Sequence, residues 1–165
     1  MEERSYLEIR KEDLIHLANV ARDVLNGLFE RRPELGAIYK EKLFALVLAQ
    51  GAALHYVDGV TGIKDFDVWA FFDHQRERRF PPRWRYSADF GDPRFGKSPD
   101  KSEYIGRRVD VMGRSIERSS DDVIEALRIY LRNPKTKSSW LLSKKAMVIL
   151  EPKEFLGKIV WPEKV

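Results

Sequence analysis

Apolar residues recur at steps of three and four positions along residues 11–32, which is the spacing of one face of an α-helix. Pro33 ends this first predicted helix, and a second short helix is expected from Glu34 to about Lys42. The chain therefore opens with helical structure that buries one face. The residues of that face are Leu14, Leu17, Ala18, Ala21, Val24, Leu25 and Leu28.

Two apolar stretches of different character follow these helices. Residues 43–50 form a short continuous run, whose length and following glycine favour a buried strand, although the pattern alone also allows a buried helix. Residues 51–57 suit a short helix, which ends in turn signals at 58–62. Residues 65–72 are rich in aromatic and β-branched side chains, and this composition predicts a second strand.

The second half of the chain continues the mixture of helix and strand patterns. A third strand is predicted at 107–116, and a helix runs to about Arg132 from a start at Ser119 and Asp122, which have capping-box spacing. Residues 138–150 indicate a helix that passes into a strand near 147–150, followed by a short tail. The pattern predicts one α/β (or α+β) domain over residues 1–165, with its core at about 43–132.

Length and composition exclude several classes of protein. With 165 residues, 43% hydrophobic and 34% charged, the chain suits one globular domain. The absence of cysteine excludes a disulfide scaffold, a cysteine-ligated zinc site and a thiol nucleophile. No apolar run approaches the roughly 18 residues of a membrane span, and the N-terminus lacks the apolar centre of a secretory signal. We therefore expect a cytoplasmic protein with no membrane partner.

Residues 73–106 are polar and lack clear periodicity, which predicts a long insertion between the second and third strands. Residues 73–108 hold ten lysines and arginines against six acids, a charge of +4 that equals the net charge of the whole chain. Basic and aromatic residues interleave here, as in surfaces that bind phosphates and stack bases. Candidate contacts to nucleic acid or to another acceptor are Arg83, Trp84, Arg85 and Lys97.

Two other interpretations of the insertion remain open from sequence. It could grip a nucleoside triphosphate or a protein partner. Alternatively, its aromatic side chains fold it back onto the domain while the arginines stay solvated. These aromatic residues are Phe80, Trp84, Tyr86, Phe90, Phe95 and Tyr104.

Residues 91–98 match the P-loop pattern letter for letter, but their context argues against a P-loop. A P-loop follows a buried strand and precedes a substantial helix. Residues 85–90 make a poor buried strand, and Pro99 follows directly, with no room for a crossover helix before the third strand.

Acidic residues supply the strongest chemical signal. Asp65 and Asp67 are two positions apart at the second strand and share one face, and Asp110 lies within the third strand. Carboxylates grouped in apolar surroundings need a cation, and Mg²⁺ prefers such oxygen ligands. The alternative is that Asp65 and Asp67 form ion pairs with nearby arginines and that Asp110 pairs with Arg107 or Arg108.

The order of these residues resembles the nucleotidyltransferase superfamily, which has the polymerase-β-like fold. Gln50-Gly51-Ala52 is followed after twelve residues by Asp65-Phe66-Asp67-Val68 and later by Val109-Asp110-Val111. The resemblance covers about residues 43–116 and extends to uncharacterised small prokaryotic proteins of that type. It implies a short mixed β-sheet with flanking helices.

The resemblance also implies residue roles. Asp65 and Asp67 would bind Mg²⁺ or Mn²⁺, and Asp110 would complete the site and help to deprotonate the acceptor. Gly51 and Ala52 would contact the triphosphate of an NTP. Beside them, Lys64 could counter phosphate charge or simply be solvated, and His55 could serve the site or the core.

The expected function is metal-dependent transfer of a nucleoside monophosphate from an NTP to an acceptor hydroxyl, on RNA, a protein or a small molecule. One alternative is an inactive protein of the same fold that binds nucleotide or nucleic acid through the insertion. A metal-dependent nuclease that uses the same acids is another. The sequence leaves the NTP, the acceptor and the oligomeric state open.

Overall fold

Five α-helices and six strands are present along residues 3–164, the part of the chain that the computed structural model describes. The α-helices are α1 (Lys11–Arg31), α2 (Pro33–Tyr39), α3 (Gln50–Asp58), α4 (Val123–Arg132) and α5 (Lys137–Leu142). The strands are β1 (Leu43–Ala49), β2 (Phe66–Asp73), β3 (Arg85–Asp89), β4 (Arg108–Ile116), β5 (Met147–Glu151) and β6 (Ile159–Trp161). No helix in this range is long and apolar enough to cross a membrane.

The strands form one mixed sheet in the order β3-β4-β2-β1-β5-β6. β1 lies antiparallel to both β2 and β5, whereas β2 and β4 run parallel to each other. The expected mixed α/β architecture with flanking helices is thereby confirmed. The parallel pairing has one direct consequence for the site, because it sets Asp67 opposite Asp110.

Alternate residues of β2 enter two separate apolar clusters on the two faces of the sheet. Phe66, Val68 and Phe72 pack in the cluster that contains the apolar stripe of α1. Phe71 packs on the other face with Leu127 of α4 and Leu142 of α5. From β4, only Ile116 joins this second cluster within residues 3–164.

The insertion is more structured than its sequence suggests. Its residues 85–89 form β3, an antiparallel edge strand beside β4. Phe80, Phe90 and Phe95 are at most 2% exposed and pack in the α1 cluster, so they are not free to stack on bases. The alternative in which aromatic residues fold the insertion back onto the domain is confirmed for these three.

Several boundaries differ from the sequence predictions. The core does not end near residue 132, because β5 pairs with β1 inside the sheet and β6 extends the sheet to residue 161. The cap of α4 is Asp122, whose carboxylate accepts a hydrogen bond from the Glu125 N–H, and not Ser119. Residues 91–98 are followed by turns and then β4, so the argument against a P-loop is confirmed.

Candidate functional site

Three carboxylates meet where β2 and β4 begin. Asp67 and Asp110 are direct neighbours across the parallel pair. Asp65 lies immediately before β2, and not within the strand as the sequence predicted. Arg108 connects two of the three, because its Nη2 lies 2.9 Å from Asp65 Oδ2 and its Nε lies 3.3 Å from Asp110 Oδ2.

Asp110 is buried and well partnered. The Ser87 hydroxyl donates to its Oδ1 at 2.6 Å, and Arg85 Nη2 donates to its Oδ2 at the same distance. Both partners come from β3, the strand that sequence patterning missed. The arginine pairing considered from sequence is therefore present at Asp110 through Arg108, whereas Arg107 donates to the Phe95 carbonyl oxygen instead.

Asp67 stands apart from its two neighbours. Within residues 3–164 its carboxylate has no hydrogen bond and no ion pair, although it is largely buried. Burial, followed by the charges of Asp110 and Asp65, raises the pKa of Asp67 to about 6. An unpartnered carboxylate in such surroundings is costly, so the site has a strong preference for an added cation or proton.

A cleft of about 410 Å³ opens onto Asp65 and Asp67. Trp69 and Met112 form its apolar floor farther along the sheet, since they follow Asp67 and Asp110 at alternate positions. Cationic side chains also line it, so negative and positive groups face the same space. These cations are Arg4, Lys64, Arg85 and Lys145.

The N-terminus of α3 forms another wall of the cleft. Gln50 lies in the left-handed backbone region with φ of 61°, where β1 turns into the helix. Gly51 faces the cleft, and a Cβ built on it would meet nothing within 4 Å. No side chain caps the first turn, so its backbone N–H groups are available to an anion.

Only some of the remaining candidate residues predicted from sequence lie at the cleft. Lys64 and Arg85 line the cleft, but the side chain of Ala52 is buried in the α1 cluster. Trp84 packs edge-on against Phe80 with ring centroids 5.8 Å apart. Two other candidates from the insertion, Arg83 and Lys97, are exposed.

His55 has a structural position. Its Nδ1 lies 2.6 Å from the Thr61 carbonyl oxygen and its Nε2 lies 2.9 Å from the Leu7 carbonyl oxygen. The ring is 4% exposed and ties the N-terminal segment to the turn after α3. His55 therefore serves packing, and not the carboxylate cleft.

The donor set fits Mg²⁺ or Mn²⁺ in kind, because carboxylate oxygens are hard ligands and Asp67 is unpartnered. Arg108, however, lies between Asp65 and Asp110. Consequently no three acidic or histidine side chains of residues 3–164 converge on one cation position in this conformation. Asp65 and Asp110 would join Asp67 as ligands only if their contacts with Arg108 loosened.

Sequence reasoning missed Ser87, and it considered Arg108 only as a partner of Asp110 and not of Asp65. Arg108 directly precedes the Val109-Asp110-Val111 strand pattern, and Ser87 faces Asp110 across the β3–β4 pair.

Comparisons of the chain with protein-family models, with curated proteins and with solved structures give no match.

Proposed function

We propose that this protein is a metal-dependent nucleotidyltransferase of the polymerase-β-like type, which moves a nucleoside monophosphate from an NTP to an acceptor hydroxyl. The observation that carries the proposal is that Asp65 and Asp67 line a cleft that the N-terminus of α3 also borders, with Asp110 buried directly beside Asp67. Carboxylates for a cation and backbone donors for phosphate are the two parts that phosphoryl transfer requires.

Asp67 is the first ligand in this proposal, since its carboxylate has no other partner within residues 3–164. A Mg²⁺ or Mn²⁺ ion bound there would activate the attacking hydroxyl and neutralise the leaving pyrophosphate. Gly51 leaves room for the triphosphate to approach the α3 backbone. Lys64 and Arg85 face the same cleft and would balance phosphate charge.

Asp110 is suited to orient the acceptor hydroxyl and accept its proton. Ser87 and Arg85 hold its position, and the contact with Arg108 would have to loosen for the carboxylate to meet the acceptor. Arg108 acts on Asp65 and Asp110 together, as an internal cation that offsets their repulsion in the metal-free protein.

Transfer is tested directly with an NTP labelled at its α-phosphate, Mg²⁺ or Mn²⁺, and a short RNA as acceptor probe. We expect the label to join the RNA with release of pyrophosphate. Asp67→Asn should lower the rate at least about a hundredfold, the loss that follows from about 2.7 kcal/mol of transition-state stabilisation. Asp23→Asn, an exposed substitution on α1, is the matched control and should keep the wild-type rate.

One observation favours a second candidate function, the catalytically inactive binding protein. Arginines already neutralise two of the three acids, since Arg108 contacts Asp65 and Asp110 and Arg85 contacts Asp110. Such a protein would bind nucleotide or RNA with an affinity that falls with salt, and without any turnover. Cleavage of the RNA without NTP would instead indicate a nuclease. Either result contradicts the proposed transferase.

A further inference from the structure

A second cavity lies farther along the sheet face that carries the carboxylates. Its volume is about 580 Å³, and Arg114 of β4 and Tyr130 of α4 line it. Alternate residues of a strand share one face, so Asp110, Met112 and Arg114 follow one another on this side of β4. Met112 borders the carboxylate cleft and Arg114 borders the second cavity, so the two hollows are consecutive.

Arg114 differs from the arginines of the carboxylate cleft. Its Nη1 donates to the Ser138 hydroxyl at 3.0 Å, but among residues 3–164 its guanidinium forms no ion pair. Arg85 and Arg108, by contrast, pair with acids at the carboxylate cleft. Lys135 adds a second positive charge to the cavity lining, and Glu117 is the acid there. A half-buried guanidinium with unused donors favours an anionic ligand.

The cavity also has an apolar wall. Ile116, Ile129 and Tyr130 supply this wall. The Tyr130 hydroxyl is enclosed beside the Thr136 side chain, and burial raises the pKa of Tyr130. The ring of Tyr130 therefore contributes apolar surface to the cavity, and its enclosed hydroxyl is not available to a ligand.

We propose that this cavity binds a phosphate of the acceptor, and that the acceptor is the end of a nucleotide chain. Arg114 and Lys135 hold the phosphate, and the wall of Ile116, Ile129 and Tyr130 packs against the attached nucleoside. Four strand positions separate Arg114 from Asp110, about 13 Å, so a short nucleotide anchored here extends over Met112 toward the carboxylates. The role as an acceptor site rests on the proposed function, whereas phosphate binding at Arg114 does not.

The test is calorimetric titration of the metal-free protein with an RNA dinucleotide, with and without a 5′-phosphate. We expect the phosphorylated form to bind wild type at least about tenfold more tightly, as one charged hydrogen-bonded contact supplies. Arg114→Gln should abolish this preference, and Arg114→Lys should keep part of it. Arg132→Gln removes a similar charge from the same region of the chain, outside the cavity, and should leave the preference intact.

The outcomes separate this proposal from the transferase proposal. Equal binding of the two dinucleotides to wild type, no binding of either, or a preference retained in Arg114→Gln would overturn the phosphate site. Urea unfolding of each variant establishes that it is folded before titration. Phosphate-dependent binding that Asp67→Asn leaves unchanged supports the cavity even if the transfer assay fails. Loss of transfer in Asp67→Asn, with no effect of Arg114→Gln on binding, supports the transferase proposal and overturns the phosphate site.

Discussion

Replacing Asp67 with Asn is expected to stabilise the metal-free protein at pH 8 by about 2–3 kcal/mol. The wild-type carboxylate is largely buried beside Asp110 and Asp65 and has no partner within residues 3–164, and these conditions raise its pKa to about 6. Each pKa unit corresponds to about 1.4 kcal/mol of difference between the two protonation states. Asn has nearly the same shape as Asp and carries no charge to desolvate.

The gain should depend on pH in a defined direction. The pKa of Asp67 is higher in the folded chain, about 6, than the ordinary value of 3.8. The stability that protonated Asp67 contributes is therefore complete below pH 3.8 and is lost as the pH rises through about 6. Urea unfolding of wild type and variant should give similar stabilities near pH 4 and a full difference above pH 7.

Asp110→Asn provides the matched control, with the opposite sign. This substitution removes a buried acceptor of hydrogen bonds from Ser87 and Arg85, and so should lower the free energy of unfolding at pH 8. Equal destabilisation by both substitutions would mean that Asp67 has a partner in the folded protein. The description of Asp67 as the open ligand would then be wrong.

Arg108→Ala is expected to destabilise the metal-free protein by about 3 kcal/mol, near the lower end of the range for breaking a buried ion pair. The side chain of Arg108 is 20% exposed, and it contacts Asp65 and Asp110, which are 14% and 2% exposed. Its removal leaves three neighbouring carboxylates with far less compensation. Arg85→Ala should cost less, because that side chain is 56% exposed.

Added Mn²⁺ provides the decisive comparison for Arg108. If the carboxylates form a metal site, a cation can replace the lost guanidinium, so Mn²⁺ should stabilise Arg108→Ala more than wild type. A ligand at a hundred times its Kd adds about 2.7 kcal/mol, which would restore most of the loss. Mn²⁺ that stabilises the variant no more than wild type would show that the arginine is not occupying a cation position. Urea unfolding with and without the metal measures both effects.

Elements with strong periodicity or long apolar runs were predictable from sequence. The apolar stripe of α1, the continuous run of β1 and the aromatic β2 each define a buried surface, so pattern and structure agree. Asp65 and Asp67 were also predictable as candidate site residues, because they are acids beside and within this apolar stretch. The sequence pattern could not identify the strand that pairs with β2. Asp67 and Asp110 become neighbours only through the parallel pairing of β2 with β4.

The missed elements share one property, which is weak local patterning. Residues 85–89 alternate poorly because β3 is an edge strand with exposed and half-buried positions, and β6 has only three residues. Tertiary pairing determines both strands. Ser87 and the contact of Arg108 with Asp65 were overlooked for the same reason, since each depends on a neighbouring segment of the fold and not on its own segment.

Thermal unfolding with nucleotide and metal tests the central claim, which is that Asp65, Asp67 and Asp110 form a functional metal-dependent nucleotide site. Wild type and the Asp65→Asn/Asp67→Asn variant would be unfolded at pH 8 with each NTP, with and without Mg²⁺ or Mn²⁺. We predict a rise in Tm of roughly 5–10 °C at saturating ligand that needs NTP and metal together and occurs only in wild type. The same rise in the double variant, or none in wild type with any NTP, would contradict the claim.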